Sequence, residues 1–123
     1  MIWSEAKERI QAQIIRGMSI LKCDGVERRQ VTKNCAQKIS MRTGVTATKS
    51  ITCDVLHDLL DLLQEKGRFD CADFKVKFGA KYYKDAPCRY SMTGGVLVEI
   101  GVAALVPHHV EGRCYYRLAV KRL

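Results

Sequence analysis

Residues 53–66 constrain the chain more than any other stretch. Val55, Leu56, Leu59, Leu60, Leu62 and Leu63 recur at helical spacing, so a helix here carries a broad apolar face that must be buried. Thr52 is placed to cap it, Asp54 lies in the first turn where the helix dipole favours an acid, and Gly67 supplies the stop. Asp54, Asp58, Asp61 and Glu65 line the opposite side. That stripe is either a solvated face or a contact for a basic partner, and in both cases it points away from bound nucleic acid.

Other helices follow from the same signals. Residues 4–16 read as a helix capped by Ser4, with Glu5 and Glu8 in the first turn, Ala6, Ile10 and Ile14 on one face, and Gly17 as the stop. Val31, Cys35 and Ile39 share one helical face over residues 26–41, leaving Arg28, Arg29, Lys33 and Lys38 on the other. Residues 44–50 read as a β-prone connector. Asp70 caps a short helix ending at Gly79, with Asp73 where a capping-box acid belongs and Phe74 and Phe78 as its apolar pair. Lys75, Lys77 and Lys81 face outward from it. A third C-terminal helix spans residues 91–105, with Leu97, Ile100 and Ala104 at core spacing and Pro107 beyond its end. Residues 106–110 and 114–120 are β-prone and flank Glu111-Gly112-Arg113, a hairpin signal.

The chain has 123 residues, 47% of them hydrophobic, with only 2 prolines, which excludes a disordered or collagen-like chain. Its length suits one compact unit, divided here into a basic helical extension (residues 1–49) and a C-terminal part (residues 50–123). No apolar run approaches the roughly 18 residues of a membrane span, so no membrane partner is expected. Glu5, Lys7, Glu8 and Arg9 stand where a signal peptide needs an apolar region, which points to the cytoplasm. The formal charge is +8. It divides as +6 over residues 1–52, −3 over residues 53–67 and +5 over residues 68–123, so the basic excess flanks one acidic helix. An excess of this kind favours a polyanionic partner and says nothing about fold.

The 6 cysteines are spread through the chain without any Cys-x-x-Cys pair, so neither a zinc site nor a disulfide framework is indicated. They read as small buried hydrophobes. His108, His109 and Cys114, with Cys88, are the residual metal candidates, but neighbouring histidines in an extended segment face opposite ways. No metal or other cofactor is expected. The sequence lacks Gly-x-Ser-x-Gly, His-Glu-x-x-His and a phosphate-cradling Gly-x-x-x-x-Gly-Lys, and His57 between Asp54 and Asp61 reads as a charge-satisfied surface residue. An enzyme is not expected.

The order of the apolar helix Val55–Leu63, the Phe74/Phe78 helix, the helix over residues 91–105 and the Gly112 hairpin resembles the winged-helix branch of the helix-turn-helix superfamily. The phrase Ala104-Leu105-Val106 leading to Gly112-Arg113-Cys114-Tyr115-Tyr116-Arg117-Leu118 is similar to the end of its recognition helix and its wing. The N-terminal part resembles a small phage or prophage protein in its compactness and basic helix. The fold class expected is therefore mainly α with a small β-hairpin (α+β), a winged-helix-like C-terminal domain behind an N-terminal helical extension.

The resemblance implies a third helix in the major groove, with Tyr90, Ser91 and Thr93 near bases and Arg113 on the wing. It also implies phosphate contacts from Lys75, Lys77, Lys81, Lys84 and Arg89. The helix departs from that pattern: residues 91–105 hold no Arg, Lys, Asn or Gln, the usual readers of base edges, and Glu99 repels phosphate. Gly94, Gly95 and Gly101 mark a close backbone approach to the chain itself, to a second subunit or to a ligand. Tyr82 and Tyr83 suit either stacking on exposed bases or anchoring their loop. Arg28, Arg29, Lys33, Lys38, Arg42 and Lys49 are a second phosphate-binding candidate with few compensating acids.

The leading expectation is a small DNA-binding protein, a transcriptional regulator or accessory factor holding the phosphate backbone. The alternative is a protein-interaction module, a homodimer or a phage-encoded inhibitor of a host nucleoprotein complex. It would use the apolar third helix through Met92, Val96, Glu99 and Val102.

Overall fold

The computed structural model describes residues 1–35, 37–45, 47–82, 84–107 and 114–119. In chain order the elements are α1 (Trp3–Gln13), β1 (Ser19–Leu21), β2 (Arg28–Cys35), β3 (Lys38–Arg42), β4 (Thr48–Thr52) and α2 (Cys53–Lys66). They continue with β5 (Arg68–Phe69), α3 (Cys71–Phe78), α4 (Ala86–Glu99), β6 (Ala103–Val106) and β7 (Tyr115–Leu118). The strands make two antiparallel sheets, β1-β2-β3-β4 and β5-β7-β6.

The four-stranded sheet overturns the expected fold class. Residues 19–52 are an antiparallel meander between α1 and α2, so a four-stranded sheet, and not a helical extension, precedes the three later helices, and β-structure is not confined to a small hairpin. The segment read as a helix over residues 26–41 is the β2–β3 hairpin. Positions four apart share a face on a helix and on a strand alike, so Val31, Cys35 and Ile39 fit both periods. The ladder decides between them: Val31 lies opposite Met41, Asn34 opposite Ile39 and Cys35 opposite Lys38, as in an antiparallel hairpin. A register shift between Val31 and Lys33 interrupts the alternation in β2 and hides it from a period-two reading.

Several local signals act where the sequence puts them. Thr52 Oγ1 accepts the Val55 N–H at 3.4 Å, and Gly67, at φ 81°, returns its N–H to the Leu63 carbonyl. Val55, Leu56, Leu59, Leu60 and Leu63 are buried, while Leu62 is half-buried. Asp70 and Asp73 form a reciprocal capping box on α3 at 2.9 and 3.0 Å. By contrast, α1 begins at Trp3 with Ile2 at its N-cap, and Ser4 does not cap it. At its other end the Asn34 side-chain amide of β2 donates to the Ile14 carbonyl at 2.7 Å and to the Ile10 carbonyl at 3.1 Å, the latter also accepting the Ile14 N–H.

The helix expected over residues 91–105 is displaced toward the N-terminus. Proline is tolerated in a first turn, so Pro87 allows α4 to start at Ala86. Gly101, at φ 84°, turns the chain out of the helix, and Ala103–Val106 becomes β6. β6 pairs with β7 from Ala103↔Leu118 to Val106↔Tyr115; the hairpin tip lies outside the described residues.

Helix α4 is the centre of the core. A Cβ on Gly94 would enter the Tyr116 ring of β7. One on Gly95 would collide with the Ile20 methyl of β1 and lie 3.2 Å from the Leu21 carbonyl oxygen. The two glycines thus let a sheet approach each side of α4. Tyr90 of α4 packs with Phe69 of β5 and Tyr116 of β7, the three ring centroids 5.3–5.8 Å apart.

Candidate functional site

The four-stranded sheet has two chemically different faces. Residues directly opposite in an antiparallel ladder point to the same side, so the register sorts them. Ile20, Arg29, Val31, Ile39, Met41, Lys49 and Ile51 face inward, toward α2 and α4. Arg28, Gln30, Lys33, Lys38, Ser40, Arg42, Thr48 and Ser50 face outward, and the four basic ones among them are exposed. Between Glu27 and Asp54 the sequence carries six basic residues and no acidic one. The strands themselves hold no aromatic residue, and the Ser40 and Ser50 hydroxyls bond each other at 2.6 Å with Ser40 buried, so this face offers charge without a stacking platform.

The two inward basic groups are spent inside the molecule. Arg29 Nη1 donates to Ser91 Oγ at 2.9 Å, and the Cys23 backbone N–H reaches the same oxygen at 2.9 Å. Lys49 Nζ pairs with Asp85 Oδ1 at 2.7 Å. That hydrogen bond, with the charges of Lys49 and Arg89, holds the Asp85 carboxyl below its ordinary value of 3.8. Both contacts brace the sheet against the start of α4. Arg29 is therefore removed from the phosphate-contact set, whereas Arg28 and Lys33 remain on the outer face.

The C-terminal candidates are scattered, and the groove-helix reading is corrected by burial. Tyr90, Ser91 and Thr93 are exposed by 1%, 2% and 0%. Tyr90 donates to the Cys114 carbonyl at 3.3 Å, with burial raising its phenol above the ordinary range. Ser91 joins α4 to both sheets, its carbonyl accepting from Tyr116, and Thr93 Oγ1 donates back to the Arg89 and Tyr90 carbonyls. None of the three can touch a base. The interface reading fails in the same way, because Met92 and Val96 are at 0% exposure and Val102 at 4%, leaving only Glu99 of that set on the surface.

Lys75, Lys77, Lys81 and Lys84 are exposed on and after α3. Tyr82 is buried to 9% exposure, its ring lying against Phe74 and covered by Lys81 at 5.4 Å and Arg89 at 4.6 Å, so it anchors the loop. Arg89 itself is largely buried, 3.8 Å from Asp85. Tyr83, His108, His109 and Arg113, the wing-tip residue, lie outside the described residues.

The cysteines are all half-buried, more open than the core hydrophobes they were read as. Their environments differ. Backbone N–H groups of Gln37 and Lys38 hold the Cys35 thiol below its ordinary range, whereas burial, with the neighbouring Cys23 thiol, pushes Cys114 up to about 11. Among the described residues no group of three or more His, Cys, Asp or Glu is disposed to hold a metal ion. His57 stacks on Trp3 at 4.7 Å and lies 3.7 Å from Asp61. Among the described residues no helix is long and apolar enough to cross a membrane.

What sequence reasoning missed is the division of one basic run into two roles. No spacing signal separates Arg29 and Lys49 from their neighbours, because the split depends on strand register. Comparison with family models, curated proteins and solved structures finds no match to this chain.

Proposed function

We propose that this protein binds nucleic acid, and DNA in the first instance, by its phosphate backbone. The contact surface is the outer face of the four-stranded sheet. One observation carries the reading: a run of six basic residues uninterrupted by any acid folds into a sheet that leaves Arg28, Lys33, Lys38 and Arg42 together on one exposed face. Guanidinium and ammonium groups without carboxylate partners are suited to phosphate, and neutralising phosphates releases counterions. The face lacks aromatic rings, and the one arginine of α4, Arg89, is largely buried against Tyr82 and Asp85, so affinity without strong sequence preference is the expected behaviour. An accessory role in a nucleoprotein complex fits this better than operator recognition. A cytoplasmic location goes with it.

The kinship to winged helices remains part of this proposal for the C-terminal half alone. The succession α2, β5, α3, α4, β6, β7 with sheet order β5-β7-β6 supports it. Its third helix would then have exchanged groove contact for packing under a second sheet.

The test is duplex-DNA affinity measured across a salt series. With four cations on phosphates, the logarithm of affinity falls against the logarithm of salt with a slope of about −3 to −4. Replacing Arg28, Lys33, Lys38 and Arg42 together by Gln flattens that slope to near zero. A wild-type affinity indifferent to salt, or a quadruple variant that binds like wild type, contradicts the proposal.

A further inference from the structure

The outer face is not uniformly basic: it ends in a cleft. The β1–β2 and β3–β4 connections leave the sheet at the same end, after Leu21 and after Arg42. Between them lies a cavity of about 510 Å³ whose walls include Arg28, Gln30, Arg42 and Thr43, together with Arg29 and the Lys22–Glu27 ion pair. A smaller cavity of about 170 Å³ adjoins it, sharing Gln30 and Arg42 and adding Arg16. The larger volume lies within the roughly 300–1,000 Å³ of small-ligand sites.

Lys22 is taken by Glu27 at 2.6 Å, and Arg29 is turned inward onto Ser91. Asp24, the other acid of the turn, accepts the backbone N–H groups of Val26 and Glu27 and also faces the Lys22 and Arg29 charges. That leaves Arg16, Arg28 and Arg42. Arg28 makes one long contact of 3.4 Å to the Ser19 carbonyl, and none of the three forms an ion pair among the described residues. Thr43 Oγ1, in the cleft wall, is buried without a hydrogen-bond partner. Three uncompensated guanidiniums beside an unused hydroxyl form a site that gains by taking an anion. Planar guanidinium forks match the oxygens of a phosphate in pairs.

The geometry points to this cleft as a phosphate-binding site, with Arg28 and Arg42 as the clamping residues, Arg16 supporting from the adjoining cavity and Thr43 as a neutral donor. The inference deepens the phosphate reading above by locating where one phosphate is gripped. The phosphate belongs either to a nucleic-acid backbone or to a free phosphate compound, and the chemistry of the grip is the same for both.

The experiment is a titration with inorganic pyrophosphate followed by amide NMR, in parallel with duplex-DNA binding, on wild type, Arg42→Ala and Arg28→Ala. Unfolding temperatures are recorded to establish that the variants fold. Pyrophosphate is expected to shift the amides of Gln30, Thr43 and Gly44. Each variant should weaken that binding about tenfold or more, since a charge-assisted hydrogen bond is lost. A parallel loss of duplex affinity identifies the backbone as the source; loss confined to pyrophosphate identifies a free phosphate compound. The absence of shifts at those amides, together with duplex binding that neither variant changes, overturns the inference. If wild type binds no duplex at all, the nucleic-acid reading fails while the pyrophosphate arm still decides the cleft.

Discussion

The four-stranded sheet and the helical half it covers divide the labour of the chain. The helical half is built for burial: α2 sets five apolar side chains into the core, and α4 is packed between two sheets through Gly94 and Gly95. The strands of the sheet carry six basic residues and no acid, of which four remain exposed and two serve as braces. The difference shows that the segment with the weakest secondary-structure signal holds the surface chemistry, and the segments with the strongest signal supply the scaffold. A helix shaped to lie under two layers is unavailable for reading a groove, whatever its position in the order of elements.

The division can be broken from the helical side first. Val96→Asp places a charge at a position of 0% exposure, and it should cost about 4 kcal/mol or more, read as a collapsed thermal transition. A well-folded variant that merely changes oligomeric state would restore the interface reading of α4. A smaller loss comes from Gly94→Ala, about 1–3 kcal/mol by urea unfolding, because the added methyl enters the Tyr116 ring. Combining it with Tyr116→Leu should be clearly non-additive, since the two side chains contest one space; additive costs would show that the close approach is absent.

The joint between the two halves can be sharpened by gentler changes. Asn34→Ala removes two hydrogen bonds to the end of α1 and should cost about 1–2 kcal/mol, with duplex affinity unchanged. The smallest effect is in the acid limb of stability. Asp85 is held below its ordinary pKa of 3.8 by Lys49, so its contribution is present above that value and is lost as pH falls through the lower folded one. Asp85→Asn should therefore weaken the protein at neutral pH and flatten the loss below about pH 4. An acid limb identical to wild type would show that this ion pair does not brace the sheet.

Much of the scaffold was legible because its signals are local. Thr52, Gly67 and the Asp70/Asp73 pair act within three or four residues of where they stand, and the α2 face repeats often enough to exclude a strand. The sheet was not legible for a physical reason. A spacing of four satisfies both periods, and the irregularity after Val31 breaks the alternation that would have distinguished them. The shift of α4 turned on two backbone positions, Pro87 and Gly101, whose effect depends on what packs around them. The basic run from Arg28 to Lys49 was visible as composition. Its split into surface and brace required Ser91 and Asp85, which come from α4 and the residue before it.

The central claim is that phosphate is held by the sheet and not by the helical half. Two charge-matched double variants test it most directly: Arg28→Gln with Arg42→Gln, and Lys75→Gln with Lys77→Gln, each removing two exposed cations. Their salt dependence of duplex-DNA affinity is compared with that of wild type. The sheet pair should lower affinity and flatten the slope by about 2, while the α3 pair leaves the slope unchanged. Equal slopes for the two variants, or a loss confined to the α3 pair, would contradict it.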